Sequence, residues 1–219
     1  MSVQLKKFIN ERDETGIIEL INKEPELLDQ TDENGASTLM LLAYSGLVKS
    51  FDQAKLLKKT FTFHESIVCG MVENITKIVA SDPSIANKHS PDGFTPLSLA
   101  AFFDQEEIAL LILESGGDPN LKASNSAGVN ALHSAVAKNN LSLCRLFLEN
   151  GADPNIPQMQ NVTSLHSAAH RGNAELVKLL VEYGADINAK MENGDSALSI
   201  SQRDGHKDII AFLHSKKAD

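Results

Sequence analysis

Tryptophan is absent from these 219 residues, tyrosine occurs twice, and aromatic residues make up 5% of the chain. Thick cores lean on large rings, so this scarcity points to thin layers filled by small and aliphatic side chains. Two cysteines in a chain of this length exclude a disulfide framework and suit a reducing, cytoplasmic compartment. No run approaches the roughly 18 consecutive apolar residues of a membrane span, so no membrane insertion is expected. Met1 to Asn10 lacks the apolar run of about seven residues that a secretory signal requires. Positive charge is also short, with 20 Lys and Arg against 29 Asp and Glu and a net charge of −9. Binding by phosphate neutralisation needs a basic face, so nucleic acid is not an expected partner.

Chemistry-bearing motifs are equally sparse. There is no Cys-x-x-Cys, no phosphate-cradling glycine loop and no Gly-x-Ser-x-Gly. His64-Glu65 begins like a zinc-protease motif, but Val68 stands where the second histidine is needed. Asn34-Gly35 and Asp92-Gly93 read as turns, because the alternating acidic ligands of a calcium loop are missing. Neither enzyme activity, a cofactor nor a metal is expected.

What the chain does have is a returning phrase. It reads Thr95-Pro96-Leu97-Ser98-Leu99-Ala100-Ala101, then Asn130-Ala131-Leu132-His133-Ser134-Ala135-Val136, then Thr163-Ser164-Leu165-His166-Ser167-Ala168-Ala169, then Ser196-Ala197-Leu198-Ser199-Ile200. Its leucines stand 35, 33 and 33 residues apart. After three of them follow Gly117-Asp118-Pro119-Asn120, Gly151-Ala152-Asp153-Pro154-Asn155 and Gly184-Ala185-Asp186-Ile187-Asn188. Weaker copies are anchored at Leu5, Leu39 and Phe63, giving spacings of 34, 24, 34, 35, 33 and 33 along the series. Within a copy, a turn signal precedes a capping Thr and a Pro at the first helical position. A second helix follows, with Ile108, Leu111, Ile112 and Leu113 at helical spacing, and Gly116-Gly117 stops it.

A period of ~33 residues carrying Thr-Pro-Leu-His and a Gly-Ala-Asp tail resembles the ankyrin repeat. The match covers the whole chain. Asp-Glu-Asn-Gly at 32–35, Pro-Asp-Gly-Phe-Thr-Pro at 91–96 and Ala-Ala-Phe-Phe at 100–103 make it similar to small free-standing bacterial members of that family. The resemblance implies an all-α solenoid of about seven helix pairs joined by short β-hairpin fingers, in one domain spanning 1–219 with a continuous core. The first and last units would act as caps. The 24-residue spacing implies a missing or truncated finger near Lys58 to Thr62. The two extra residues in Lys122 to Ala127 imply a finger that projects further.

In that family a histidine in the His166 slot ties helix to turn, which answers for His166 and His170 better than a zinc site would. The concave face is built from the last turn residue before each first helix and from that helix's final exposed turn. Carried over, the turn row is Ala36, Phe94, Val129, Val162 and Asp195. The helix row includes Tyr44, Phe102, Phe103, Lys138, His170, Arg171 and Arg203. Apolar residues occupy its middle, and basic ones its C-terminal half. The expected function is a protein–protein interaction module, a monomer that binds a protein or peptide in its groove. A bacterial adaptor and an effector delivered into a host would look the same from this sequence. The alternative is a regulatory or inhibitory subunit of an enzyme. Cys144 is expected to be buried and Cys69 to lie on the groove side.

Overall fold

The computed structural model describes residues 1–217. Fourteen α-helices occur among them, with no named strand. They run in antiparallel pairs along the chain: α1 (Val3–Glu11) with α2 (Glu14–Lys23), α3 (Thr38–Tyr44) with α4 (Val48–Leu57), α5 (Phe63–Val68) with α6 (Val72–Ser81), and α7 (Pro96–Phe102) with α8 (Glu106–Glu114). The series continues with α9 (Ala131–Ala137) and α10 (Leu141–Glu149), α11 (Ser164–Arg171) and α12 (Ala174–Glu182), and α13 (Ala197–Asp204) and α14 (Lys207–Lys217). The first helices from α3 to α13 stack into one layer and the second helices into another, which is interrupted between α4 and α6. The arrangement is an ankyrin-type solenoid.

Each first helix starts where a short polar side chain takes up a free backbone N–H. Ser2, Ser37, Thr62, Thr95, Asn130 and Ser196 accept such bonds, and Thr163 forms a capping box with His166. Leu5, Leu39, Phe63, Leu97, Leu132, Leu165 and Leu198 all lie in these helices and are buried. Beside them Ala100, Ala101, Ala135, Ala168 and Ala169 are completely covered. Their small size lets neighbouring helices approach closely, so little large-ring packing is required.

The Gly-x-Asp-x-Asn tail is an inter-repeat clamp. Asn87 Nδ2 donates to Gly116 O at 2.8 Å, while its Oδ1 accepts from Asp118 N at 2.8 Å. Asn120 does the same to Gly151 and Asp153, and Asn155 to Gly184 and Asp186. The hairpin fingers add a second ladder. Ser124 N donates to Gly93 O, Met159 N to Ala127 O and Glu192 N to Gln160 O, each crossing to the preceding finger. The longer finger at 122–129 is thus tied on both sides.

Both ladders break at one place. The chain passes from α4 to α5 through residues 58–62 without a hairpin, so the finger 31–37 meets the finger 90–94 directly. Gly35, with φ +91°, lies so close to Pro91 that a Cβ on it would stand 2.9 Å from the proline Cβ. Pro91 occupies the position from which Ser124, Met159 and Glu192 donate, and proline has no N–H to give. Asp29, at the clamp position of Asn87, bonds Lys58 Nζ at 2.5 Å instead. The expected continuous core is accordingly divided. Leu5, Ile17, Ile21, Leu27, Leu28, Leu39, Leu42, Leu47 and Ala54 form one cluster, and Ala36, Met40 and the buried core from Phe63 to Leu213 form another. Because α4 and α6 scarcely touch, the second-helix layer does not carry packing across the gap; half-buried Phe51 packs against both clusters.

Candidate functional site: an apolar cavity in the groove

The concave face holds a cavity of about 450 Å³ lined by both candidate rows. Tyr44, Phe94, Phe102, Val129, His170 and Arg171 come together there. Phe94 and Val129 arrive from the fingers 90–94 and 122–129. Phe102 closes α7, while His170 and Arg171 close α11. Val162 and Arg203 lie outside this cavity and line a shallower one of about 270 Å³, which shares His170 with the first.

The adjacent phenylalanines have separate roles. Phe102 is 41% exposed and forms a wall of the cavity. Phe103 is half-buried, packs on the core and stacks on Tyr44 at 5.8 Å between centroids. The two rings meet edge to face at 5.2 Å, so Phe103 braces the wall from behind. Tyr44 also packs against Phe94, and its hydroxyl donates to Asp92 Oδ2 at 2.9 Å. This contact joins α3 to the fourth unit over the missing finger. Burial, and then the charge of Asp92, pushes the Tyr44 phenol upward, so it remains a neutral donor.

Most of the basic row is already engaged. Lys138 Nζ lies 3.3 Å from Asp104 and 5.5 Å from the Phe102 ring centre. Arg203 reaches Asp195 at 2.7 Å and Asp204 at 3.4 Å, and His170 Nδ1 meets Asp204 at 2.7 Å. The Arg203 hydrogen bond holds the Asp195 carboxyl below the usual carboxylate range, and the His170 bond does the same for Asp204. Arg171 differs, its side chain having neither a carboxylate partner nor a hydrogen bond among the described residues.

Sequence reasoning missed most of the floor: Ser98, Leu99, His133, Ser134, Gln158 and Ser167 also line the cavity. Helical spacing could have found three of them. Ser98, Ser134 and Ser167 stand one turn before Phe102, Lys138 and Arg171 and share their helix face. The histidines in the phrase are structural. His166 Nδ1 accepts from Thr163 N at 3.1 Å while Nε2 meets Ala189 O at 3.1 Å. His64 Nε2 meets Lys88 O at 2.8 Å in the same way. His133 Nδ1 accepts from Asn130 N at 3.2 Å, and burial pushes its ring down to about 4. The carbonyls of Ile156 and Val162 lie near enough to favour a proton on the His133 ring, but its Nε2 and the Asn130 Nδ2 have no partner with hydrogen-bond geometry. His166 and His170 thus hold different partners, and no group of three or more His, Cys, Asp or Glu among the described residues is arranged to hold a metal. No helix among them is long and apolar enough to cross a membrane.

The profile described as "Ankyrin repeats (3 copies)" matches residues 10–158 and 132–219. Over 96 residues the chain is 35% identical to "SH3 and multiple ankyrin repeat domains protein 2" of Homo sapiens, covering 42% of this chain and 5% of that protein. It is 31% identical over 85 residues to a "Putative ankyrin repeat-containing protein" of Treponema pallidum (strain Nichols), covering 39% of this chain and 28% of that one. With "Ankyrin repeat and ELMO domain-containing protein D" of Dictyostelium discoideum it shares 54% identity over 64 residues, 29% of this chain and 5% of that protein. The matched segments thus span under a third of each relative, one of them bacterial. Repeat period, caps, clamps and profile agree, and the chain belongs to the ankyrin-repeat family.

Proposed function

We propose that this chain is a protein-binding module whose groove receives a protein or peptide at the cavity between α7 and α11, with the helix pairs acting as one scaffold. Ankyrin solenoids as a class present extended concave surfaces for protein partners. The observation that carries the reading is Phe102, a large ring left 41% exposed on the wall of an apolar cavity. Exposed aromatics in concave sites are the usual anchors of interfaces. An adaptor, a host-directed effector and a regulatory subunit differ in the partner and share this groove.

The test compares wild type with Phe102→Ala. A partner isolated from source-cell lysate is purified, and its affinity for both proteins is measured by calorimetry. Loss of an anchor costs about 2 kcal/mol, or roughly thirtyfold in affinity. Helical content and melting temperature should stay near wild type, because the ring is exposed. A folded variant that binds with wild-type affinity would move the site elsewhere.

A further inference from the structure

We infer that the groove cavity selects an acidic apolar peptide, one large hydrophobic side chain followed at short range by a carboxylate that pairs with Arg171. The inference rests on the groove reading above and adds the chemistry of the occupant. Three observations carry it. First, the apolar walls, Phe94, Phe102, Val129 and Ala137, form a seat for one aromatic or branched side chain. Second, no Asp or Glu lines the cavity, although the chain carries a net charge of −9. Third, the groove's basic side chains are not equivalent. Lys138, His170 and Arg203 are each met by an aspartate, whereas Arg171, on the cavity rim, has no such partner among the described residues.

An unpaired guanidinium beside a largely apolar pocket favours a planar anion that it can bind in bidentate fashion. The Ser134 and Ser167 hydroxyls also line the cavity and have no hydrogen-bond partner among the described residues. They are placed to serve the peptide backbone between anchor and carboxylate. A cationic peptide would set its charge against Arg171 with no cavity carboxylate to compensate.

The experiment pans a random octapeptide phage library against the full chain, then measures the enriched peptides by fluorescence polarisation. Enrichment of an aromatic or aliphatic residue with Asp or Glu at a fixed offset is expected. A synthetic peptide and its Glu→Gln partner should differ about tenfold or more on wild type, as a charged hydrogen bond implies. That difference should vanish on Arg171→Gln and return in part on Arg171→Lys. Free and amidated C-termini of the same peptide separate a terminal carboxylate from a side-chain one. Selected peptides that bind Phe102→Ala as well as wild type would overturn the groove reading itself. Peptides that need Phe102 but show no acidic preference, or keep it on Arg171→Gln, would leave the groove and overturn the carboxylate inference.

Discussion

Acid should destabilise this protein through His133 before it reaches the carboxylates. The ring is 4% exposed and accepts the Asn130 N–H at Nδ1, so it must be neutral in the folded state. Protonation would turn Nδ1 into a donor facing another donor. Burial first, then the charge of Lys122, lowers the ring from its ordinary 6.5 to about 4. Between those values the unfolded chain binds a proton that the folded chain refuses, so stability is complete above 6.5 and falls as pH falls. That lowering of the ring corresponds to roughly 2–3 kcal/mol, most of it lost by pH 4.5. His64 and His166 are also lowered by burial, so the wild-type slope contains their shares. The diagnostic comparison is therefore with His133→Ser, which installs the side chain that Ser98 uses in the same slot, accepting from Thr95 N at 3.1 Å. Urea titrations at intervals from pH 7.5 to 4.5 should show the variant losing roughly 2–3 kcal/mol less than wild type. Parallel curves for the two proteins would refute the argument.

Two further outcomes follow from the geometry. Tyr44→Phe keeps the stacks on Phe94 and Phe103 but removes the bond to Asp92, and should cost about 1.5 kcal/mol in urea unfolding; an unchanged midpoint would mean that this contact does not hold the junction. Burial pushes both Cys69 and Cys144 up to about 12, so both should react slowly with a thiol reagent at pH 8. Half-buried Cys69 should still react much faster than fully covered Cys144, and equal or reversed rates would contradict the packing of α5.

The features legible in the sequence are those written in residues close along the chain. Thr95 and Pro96 announce a helix start within two positions, and Gly116-Gly117 announces an end. Recurrence of that punctuation was enough to place the first helices and their buried leucines. The groove rows followed from the same register, which brought six of the twelve row residues into one cavity. Phe102 and Phe103 could not be told apart by composition or spacing. Their difference arises from Tyr44, 59 positions before Phe103, whose ring claims one and leaves the other.

Charge was the least legible property, for a physical reason. A basic row along one face suggests a positive groove only while the partners of each side chain are unknown. Asp104 precedes Lys138 by 34 positions, the same interval that separates His170 from Asp204, so each pair unites neighbouring repeats within one residue of the local period. A repeat protein places residues about one period apart in contact, so an aspartate about one period from a basic side chain can engage it. Arg171 stays free although Asp204 stands one period of 33 residues later, because that carboxylate is already held by His170 and Arg203. The same rule locates the break in the finger ladder. A residue at the Pro91 position normally bonds to the preceding finger, but here both the N–H and one whole finger are missing. The free guanidinium thus arises from competition for one carboxylate within the period, and the gap in the finger ladder from a break in the period itself.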